Sequence, residues 1–213
     1  MLPRATAAIL VAAAMIAAPP AHASPDLAAL RVLAALPVRA PDPMTGYSRG
    51  QFGPAWTDNN DAAFGHNGCD TRDDILARDL VNLVRDGRCT VVSGLLHDPY
   101  TGAIIHFQRG RDTSTRVQID HIVALGDAWI TGAQQLSPPQ RVDLANDPRN
   151  LLAVDGPANE SKHDDDASQW LPPNTAFRCT YVADQIAVKT AYHLWITPAE
   201  KQAMTGVLSN CGP

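Results

Sequence analysis

Two side chains that could perform acid–base and metal chemistry are adjacent in the chain. Asp120 and His121 end an apolar, β-branched segment, and Asn150 and Asn159 follow downstream. Carboxylate and amide oxygens are ligands that hard divalent ions such as Mg²⁺ prefer. A histidine, with an ordinary pKa of about 6.5, can take a proton from water near neutral pH. Together these groups predict hydrolysis in which one metal ion and one general base act on the same substrate.

The backbone decides whether these groups can converge. Neighbouring side chains on a strand leave opposite faces, so Asp120 and His121 can serve one site only where the strand ends or twists. There, Asp120 could hold the ion while His121 faces the attacking water. Asn159 could offer its amide oxygen to the same ion from the following helix. Asn150 lies in a loop, where its side chain could bridge backbone groups and fix the loop that orients His121.

The segment after Asn159 holds further candidates. His163 lies four residues later, on the same helix face, and could be a third metal ligand, which would favour transition metals alongside Mg²⁺. An exposed histidine at the helix end is the alternative. Lys162 could contact a phosphate or be a solvated lysine. The acidic run 164–166 could bind metal, but we favour a cap for a helix over residues 167–171, because acidic residues commonly open helices.

Basic residues cluster immediately before the Asp-His pair. Arg109, Arg111 and Arg116 fall within eight residues of an otherwise acidic chain, and they predict either phosphate contacts or a solvated turn. Arg49 lies among aromatic residues in a long loop over residues 44–70, where it could contact a nucleic-acid backbone or base. The aromatic residues could instead only anchor the loop. The candidates for substrate contact are Lys162, Arg116, Arg111, Arg72 and Arg49.

Apolar periodicity, caps and turn residues predict the elements that would position these groups. Helices are predicted over residues 26–36, 71–86, 126–135, 138–145, 156–163, 167–171, 181–194 and 198–209. Strands are predicted over residues 88–96, 103–108, 117–125 and 151–154. The first two strands flank turn residues and predict a hairpin, and Thr197 to Glu200 has the pattern of a capping box.

The first 23 residues have the pattern of a secretory signal peptide. Arg4 provides a positive charge, residues 7–18 form an uncharged apolar core, and Ala21-His22-Ala23 is a cleavage signal before Ser24. The apolar stretch is shorter than the roughly 20 residues that span a membrane, although an N-terminal anchor is the alternative. We therefore expect a secreted protein without membrane association after cleavage near Ala23-Ser24.

Charge composition limits the class of partner. The chain has 17 basic and 22 acidic residues, a formal charge of −5, and loss of Arg4 with the signal peptide would bring the mature chain to −6. A net negative charge argues against a protein that coats nucleic acid through bulk charge. It does not argue against an enzyme with a local basic groove. The 190 residues after the cleavage site fit one domain.

The cysteines predict two disulfide bonds. Cys69, Cys89, Cys179 and Cys211 are an even number in an exported chain, and three pairings are possible. We favour Cys69–Cys89 and Cys179–Cys211 because each bond would tie the two ends of a local helical unit, with a gain of about 3 kcal/mol each. A four-cysteine zinc site is the alternative, but no C-x₂-C spacing supports it.

Three segments together resemble the HNH endonucleases, and in particular the secreted type known as DUF1524: the Asp120-His121 pair, Asn150-Leu-Leu-Ala-Val, and Ala158-Asn159-x-x-Lys162. The resemblance covers about residues 45–211. It implies an α+β fold in which a ββα-metal (HNH) core, about residues 117–165, is joined by inserted and flanking helices and a β-hairpin and is stapled by disulfides. It divides the chain into a signal peptide (1–23), an N-terminal helix and extended loop region (24–66) and a nuclease domain (67–213).

The resemblance also implies roles for the candidate residues. His121 would be the general base, Asp120 and Asn159 metal ligands, and Asn150 the structural middle residue of the motif. The 29 residues from His121 to Asn150 exceed the gap in compact HNH motifs and imply an inserted helical segment. The implied function is a secreted, monomeric endonuclease that cuts nucleic acid, with DNA favoured over RNA. It would use one divalent ion, with Mg²⁺ favoured and Mn²⁺, Ca²⁺ or a transition metal as alternatives.

Two other functions stay open. A phosphoesterase acting on small molecules would have a closed pocket and no basic groove, and the arginines near residue 110 argue against it. A catalytically silent binding module would be expected to lose the Asp120, His121 and Asn159 set, which is intact. No H-E-x-x-H sequence occurs in the chain, so the sequence gives no support to a zinc protease.

Overall fold

The computed structural model describes residues 25–111 and 113–211, over which helices surround two antiparallel sheets in a mixed α/β arrangement. The predicted signal peptide lies outside the described residues. The helices are α1 (Pro25–Ala35), α2 (Thr71–Asp79), α3 (Leu125–Ile130), α4 (Pro138–Asn146), α5 (Gly156–Lys162), α6 (Arg178–Ala191) and α7 (Pro198–Leu208). The strands are β1 (Leu80–Asp86), β2 (Thr90–His97), β3 (Ile104–Gln108), β4 (Val117–His121) and β5 (Leu151–Asp155).

The first sheet has the strand order β1-β2-β3 and contains the predicted hairpin as β2 and β3. The prediction of one helix over residues 71–86 is wrong in its second half, because α2 ends at Asp79 and the next seven residues form β1. Leu80 to Val84 could satisfy a helical stripe, but pairing with β2 outweighs that local preference. Gly87, at a φ of 64°, turns the chain between the two strands instead of ending a helix.

The second sheet is the antiparallel pair β4 and β5, and α5 follows β5 directly. Val117 pairs with Asp155 at one end and His121 with Leu151 at the other. The carboxylate of Asp155 then caps α5 by accepting a hydrogen bond from the amide of Ala158 at 2.9 Å. Strand β4 stops at His121, four residues before its predicted end. The strand end therefore falls on the Asp-His pair.

Helix α5 begins unusually close to the segment that precedes β4. A Cβ atom on Gly156 would collide with the carbonyl oxygen of Thr115, so only glycine allows this approach. The close contact fixes the start of α5 against the end of the β4–β5 pair that is opposite to His121.

The segment between β4 and β5 forms the inserted helical unit that the long gap implied, and it contains α3 and α4. Helix α4 begins at a capping box in which Ser137 and Gln140 exchange hydrogen bonds, at 2.9 Å and 3.4 Å. Buried apolar residues of both helices share a core with Phe52 and Leu194. This core anchors the insertion to the N-terminal loop and to the residues after α6.

The C-terminal helices pack around an apolar core of their own. Helices α6 and α7 pack on α1 around a core that includes Leu33, Tyr181 and Met204. Helix α7 starts with the predicted capping box of Thr197 and Glu200. Every described helix is too short or too polar to cross a membrane.

Both favoured disulfides are confirmed. Cys69 is bonded to Cys89 and Cys179 to Cys211, with Cα separations of 5.3 Å and 6.0 Å. All four cysteines are used, so the alternative of a zinc site is wrong. The first bond joins the segment before α2 to the turn before β2, and the second joins the start of α6 to the segment after α7.

A short helix predicted over residues 167–171 is wrong. The chain there forms turns, and the carboxylate of Asp166 accepts hydrogen bonds from the amide and hydroxyl of Ser168, at 2.8 Å and 2.5 Å. The acidic run 164–166 thus stabilises a turn instead of capping a helix. Two prolines at 172 and 173 follow at once and prevent a helix from extending.

Candidate active site

His121 is buried at the end of β4 and is held by two contacts. Its Nε2 lies 3.0 Å from the carbonyl oxygen of Ala145, and its ring stacks on Trp56 with centroids 5.6 Å apart and planes 10° from parallel. A carbonyl oxygen can only accept, so Nε2 carries the proton, and the lone pair of the neutral ring lies on Nδ1. The contacts therefore fix both the tautomer and the plane of the ring.

The surroundings of His121 keep the imidazole neutral. Burial lowers its pKa to about 3, and the positive charges of Arg49 and Lys162 act in the same direction, whereas the hydrogen bond to Ala145 acts against them. A neutral ring can accept a proton on Nδ1. An anionic phosphate placed beside it would raise the pKa and strengthen the base when the substrate binds.

Asn150 connects the segment after His121 to the end of α4. It has no exposed surface, and its Oδ1 accepts from the amide of Val123 at 2.8 Å. Its Nδ2 donates to the carbonyls of Val123 and Leu144, at 3.3 Å and 3.2 Å. Leu144 precedes the residue whose carbonyl binds His121, so Asn150 holds both the backbone after the histidine and its hydrogen-bond acceptor.

Asp120 lies on the other face of β4 and forms a buried ion pair. Lys162 Nζ donates to its two carboxylate oxygens, at 2.9 Å and 2.7 Å, and to the carbonyl of His121 at 2.6 Å. The hydroxyl of Tyr100 donates to Oδ2 of the same carboxylate. Lys162 has no exposed surface, so its ammonium positions Asp120 and does not reach the protein surface.

Asn159 is the second amide that faces β4. Its Nδ2 donates to Gln118 Oε1 at 2.8 Å, and Gln118 Nε2 donates to Glu160 Oε1 at 2.9 Å. Within the described chain, Asn159 Oδ1 accepts no hydrogen bond. This oxygen is available to a cation or a donor from outside.

These groups meet in one polar cleft of about 260 Å³. Its lining consists of Arg49, Gln118, Ile119, Asp120, His121, Ala124, Leu125, Asn159, Glu160, His163 and Asp164. The structure thus brings together five of the candidates chosen from sequence: Arg49, Asp120, His121, Asn159 and His163.

His163 reaches the cleft by a different route from the one predicted. Helix α5 ends at Lys162, and His163 is its exposed C-terminal cap with a φ of 52°. It therefore does not share a helical face with Asn159, but it still borders the same cleft.

A second, mostly apolar cleft of about 360 Å³ adjoins the first. Its lining consists of Arg49, Gly50, Phe52, Gly53, Pro54, Ala55, Trp56, His121, Leu125, Ala145 and Asn146. His121, Arg49 and Leu125 border both clefts. The candidate base therefore lies between a polar and an apolar cleft.

The other candidate arginines lie elsewhere. Arg72 is half-buried and donates to the carbonyl of Val117 at 3.2 Å, and burial followed by the charge of Arg109 lowers its pKa. Arg109 is itself paired with Asp73. Arg111 and Arg116 are exposed before β4 but do not line either cleft. Of the basic candidates for substrate contact, only Arg49 borders the clefts with an exposed side chain.

The polar cleft has the donor set of a site for a hard divalent ion. The carboxylate of Asp120 receives three hydrogen bonds, and a carboxylate has about four acceptor positions, so one stays open on Oδ1. Asn159 and His163 line the same cleft and could add an uncharged oxygen and a ring nitrogen. The chemistry of these donors is compatible with one divalent ion.

A nucleophilic serine is not part of the arrangement. Gly46 to Gly50 spells G-x-S-x-G around Ser48, the pattern of a nucleophile elbow. Such an elbow joins a strand to a helix, whereas Ser48 precedes a single 3₁₀ turn and its side chain caps nothing. The structural context of a serine hydrolase is absent at this position.

Sequence reasoning missed several residues of the site. Gln118 lies two residues before Asp120 on β4, so the period of a strand could have placed it on the same face. Tyr100, Trp56 and the carbonyl of Ala145 come from distant segments, and no local pattern marks them.

Comparison with known proteins gives the same class of protein as the site. Residues 70–207 match the GmrSD restriction endonuclease C-terminal domain, an HNH-type nuclease family. The chain belongs to this family; the narrower DUF1524 assignment stays a prediction. An uncharacterized secreted protein of Arthroderma benhamiae is 36% identical over 211 residues, which cover 96% of this chain and 97% of the relative. No solved structure matches the chain.

Proposed function

We propose that this protein is a secreted, metal-dependent HNH endonuclease that hydrolyses phosphodiester bonds of DNA. One observation carries the proposal: the neutral His121, with Nε2 bound to the carbonyl of Ala145 and Nδ1 free, borders the same cleft as Asp120 and Asn159. Strands β4 and β5 with helix α5 would be the ββα-metal core.

The residues of the chain divide the chemistry between them. His121 takes a proton from a water through Nδ1, and the resulting nucleophile attacks phosphorus. The bond from phosphorus to the 3′ oxygen breaks and that oxygen takes a proton from solvent water, which leaves a 5′-phosphate and a 3′-hydroxyl. The carbonyl of Ala145 keeps the ring oriented throughout. Asn150 and Lys162 act through other groups, because they hold the backbone around His121 and the carboxylate of Asp120.

Asp120 and Asn159 would hold the ion, with His163 as a third ligand. When bound, the ion neutralises charge on the phosphoryl group and on the departing oxygen. Mg²⁺ is favoured because two of the three donors are oxygen atoms.

Arg49 is the favoured phosphate contact. Its exposed guanidinium borders both clefts, and its charge acts on His121. A guanidinium can bind two phosphoryl oxygens at once. One arginine at the cleft supplies the positive charge that the acidic chain lacks as a whole.

Secretion is supported by two independent features. The relative that matches nearly the whole chain is described as a secreted protein. Two disulfide bonds are typical of oxidising compartments outside the cytosol.

Cleavage of supercoiled plasmid by the oxidised protein from residue 24 onward tests the proposal. We expect nicking with Mg²⁺ or Mn²⁺ and none in EDTA. His121→Ala should reduce the rate by about 10²–10⁴-fold, the usual contribution of a general base. His97→Ala is the matched control, because His97 is exposed and lines neither cleft.

Two results would contradict the proposal. One is a folded wild type that cuts neither DNA nor RNA with any of these ions, which would favour a small-substrate phosphoesterase or a binding module. The other is His121→Ala cleaving at the wild-type rate, which would remove His121 as the base.

A further inference from the structure

The apolar cleft beside His121 has no role in the chemistry described so far. Its volume of about 360 Å³ is in the lower range of ligand pockets. Its walls come from the N-terminal loop, through Phe52, Pro54 and Trp56, and from Leu125 at the start of α3. The wall residues from the N-terminal loop, up to Trp56, all precede residue 70, where the family match begins. This wall therefore lies outside the residues that match the family.

The position of the cleft relates it to the substrate. His121 and Arg49 border both the apolar and the polar cleft. A phosphate attacked beside His121 would have one of its ester groups at the mouth of the apolar cleft. In a nucleic acid that group is a nucleoside, which carries a flat and largely apolar base.

A polar group in the same cleft has an unmet hydrogen bond. Asn146 is 1% exposed and lines the cleft, and its Nδ2 donates to the carbonyl of Val142 at 2.9 Å. Its Oδ1 accepts no hydrogen bond from any residue that the structure describes. Buried acceptors without a partner are rare and costly in folded proteins. This oxygen is shielded from solvent, so the N–H of a nucleobase could reach it only after the side chain turns toward the cleft.

We propose that the apolar cleft binds the nucleobase next to the scissile phosphate. The proposal rests on the proposed function, since it takes the substrate to be a nucleic acid. A paired base is stacked inside its duplex and must leave the stack to enter a cleft. The enzyme therefore prefers single-stranded or unpaired substrate, in which the base is free.

The test measures binding without turnover. Adenosine 5′-monophosphate and ribose 5-phosphate share sugar and phosphate and differ by the base, and their affinities for the full mature protein in EDTA can be compared by NMR titration. Ala55 is exposed and lines the apolar cleft, so the larger side chain of Ala55→Trp would fill the cleft. Ala63→Trp is the control, because Ala63 is an exposed residue of the same loop that lines neither cleft.

We expect the wild type and Ala63→Trp to bind the nucleotide at least tenfold more tightly than the sugar phosphate. Ala55→Trp should bring the two affinities within about twofold and leave that of ribose 5-phosphate unchanged. Equal affinities in the wild type, or an unchanged ratio in Ala55→Trp, would overturn the proposal.

A cleavage assay separates this inference from the proposed function. We expect kcat/KM at least tenfold higher for a single-stranded oligonucleotide than for its duplex, and Ala55→Trp should lose this preference. Cleavage without any preference for the nucleotide over the sugar phosphate would overturn the base site and leave the nuclease standing. Preference for the nucleotide without cleavage would leave the base site standing and overturn the nuclease.

Discussion

Two lysines are completely buried, and the charges around them differ. Lys162 pairs with one carboxylate, that of Asp120, at the wall of the polar cleft. Lys189 lies 2.9 Å from Asp127 Oδ2 and 2.7 Å from Glu200 Oε1 in the interior. The first is a balanced pair beside a cleft, whereas the second is one cation among several acids.

The pKa values of the acids around Lys189 are raised. Burial raises the pKa of Glu200 to about 7 and also raises that of Asp127, although the positive charge of Lys189 acts against both shifts. Carboxylate oxygens of Asp127, Asp166 and Glu200 lie within 4.8 Å of one another, close enough for a metal site. The ammonium of Lys189 already occupies that cluster. An acidic cluster alone does not locate a metal site.

The largest expected effect is on the interior lysine. Lys189→Met leaves the carboxylates of Asp127 and Glu200 buried without a cation, and breaking such a pair typically costs about 3–5 kcal/mol. We expect a loss of this size in the free energy of unfolding, measured by urea denaturation. Lys201→Met, on α7, is the control and should stay within about 0.5 kcal/mol of wild type. A loss below about 1 kcal/mol for Lys189→Met would mean that the carboxylates are protonated without it.

A smaller loss of stability is expected at the cleft. Lys162→Met removes the cation from Asp120, but Tyr100 still donates to that carboxylate and the cleft admits water. We therefore expect the free energy of unfolding, measured in EDTA, to fall by about 2–3 kcal/mol. Mg²⁺ should reduce the loss of stability for Lys162→Met, because an ion from solution can enter the cleft in place of the ammonium. It should leave the stability of Lys189→Met unchanged, because the cluster around Lys189 is buried. Equal responses of the two variants to Mg²⁺ in urea denaturation would refute the distinction between the sites.

The proton on Glu200 predicts a pH dependence of stability. The folded-state pKa of about 7 lies above the ordinary value of 4.5, so the folded protein binds this proton more tightly. The stabilisation is present in full below pH 4.5 and is lost as the pH rises through 7. We expect Glu200→Gln to be more stable than wild type at pH 8, by about 1 kcal/mol. Its free energy of unfolding should also fall less than that of wild type as the pH rises. A wild-type profile that does not fall over this range would contradict the assignment.

The smallest expected effect concerns His121. Its pKa of about 3 implies a ring that stays neutral from pH 8 to pH 5, whereas an ordinary histidine takes up a proton near pH 6.5. The ¹⁵N shifts of the imidazole should show Nε2 protonated and Nδ1 unprotonated across that range. A titration near pH 6.5 would show that the ring is hydrated in solution.

The candidate site could be found largely from sequence because its residues lie in short segments with distinct patterns. Asp120 and His121 end an apolar strand, and Asn159 follows a second strand and a helix start. The favoured disulfides are confirmed, although the unit that Cys69–Cys89 closes is α2 followed by β1 and not a single helix. The division of the chain at residue 67 and the roles of the site residues stay predictions.

Errors arose where distant contacts outweigh local preference. Leu80 to Asp86 joins a sheet because β2 is available as a partner. Lys162 is a predicted phosphate contact, but its ammonium donates to Asp120 because α5 packs on β4. Substrate contact by Arg72 stays a prediction; its guanidinium donates to the carbonyl of Val117.

The sequence by itself determined the chemical groups, the capping box at Thr197 and the nuclease family. Only the tertiary structure decided that Nε2 of His121 donates to Ala145, that Trp56 stacks on its ring, and that Lys189 lies among the interior acids. The physical reason is the separation along the chain over which each interaction acts. Capping and periodicity act over a few residues, whereas ring orientation and charge balance depend on groups that approach only when the whole chain has packed.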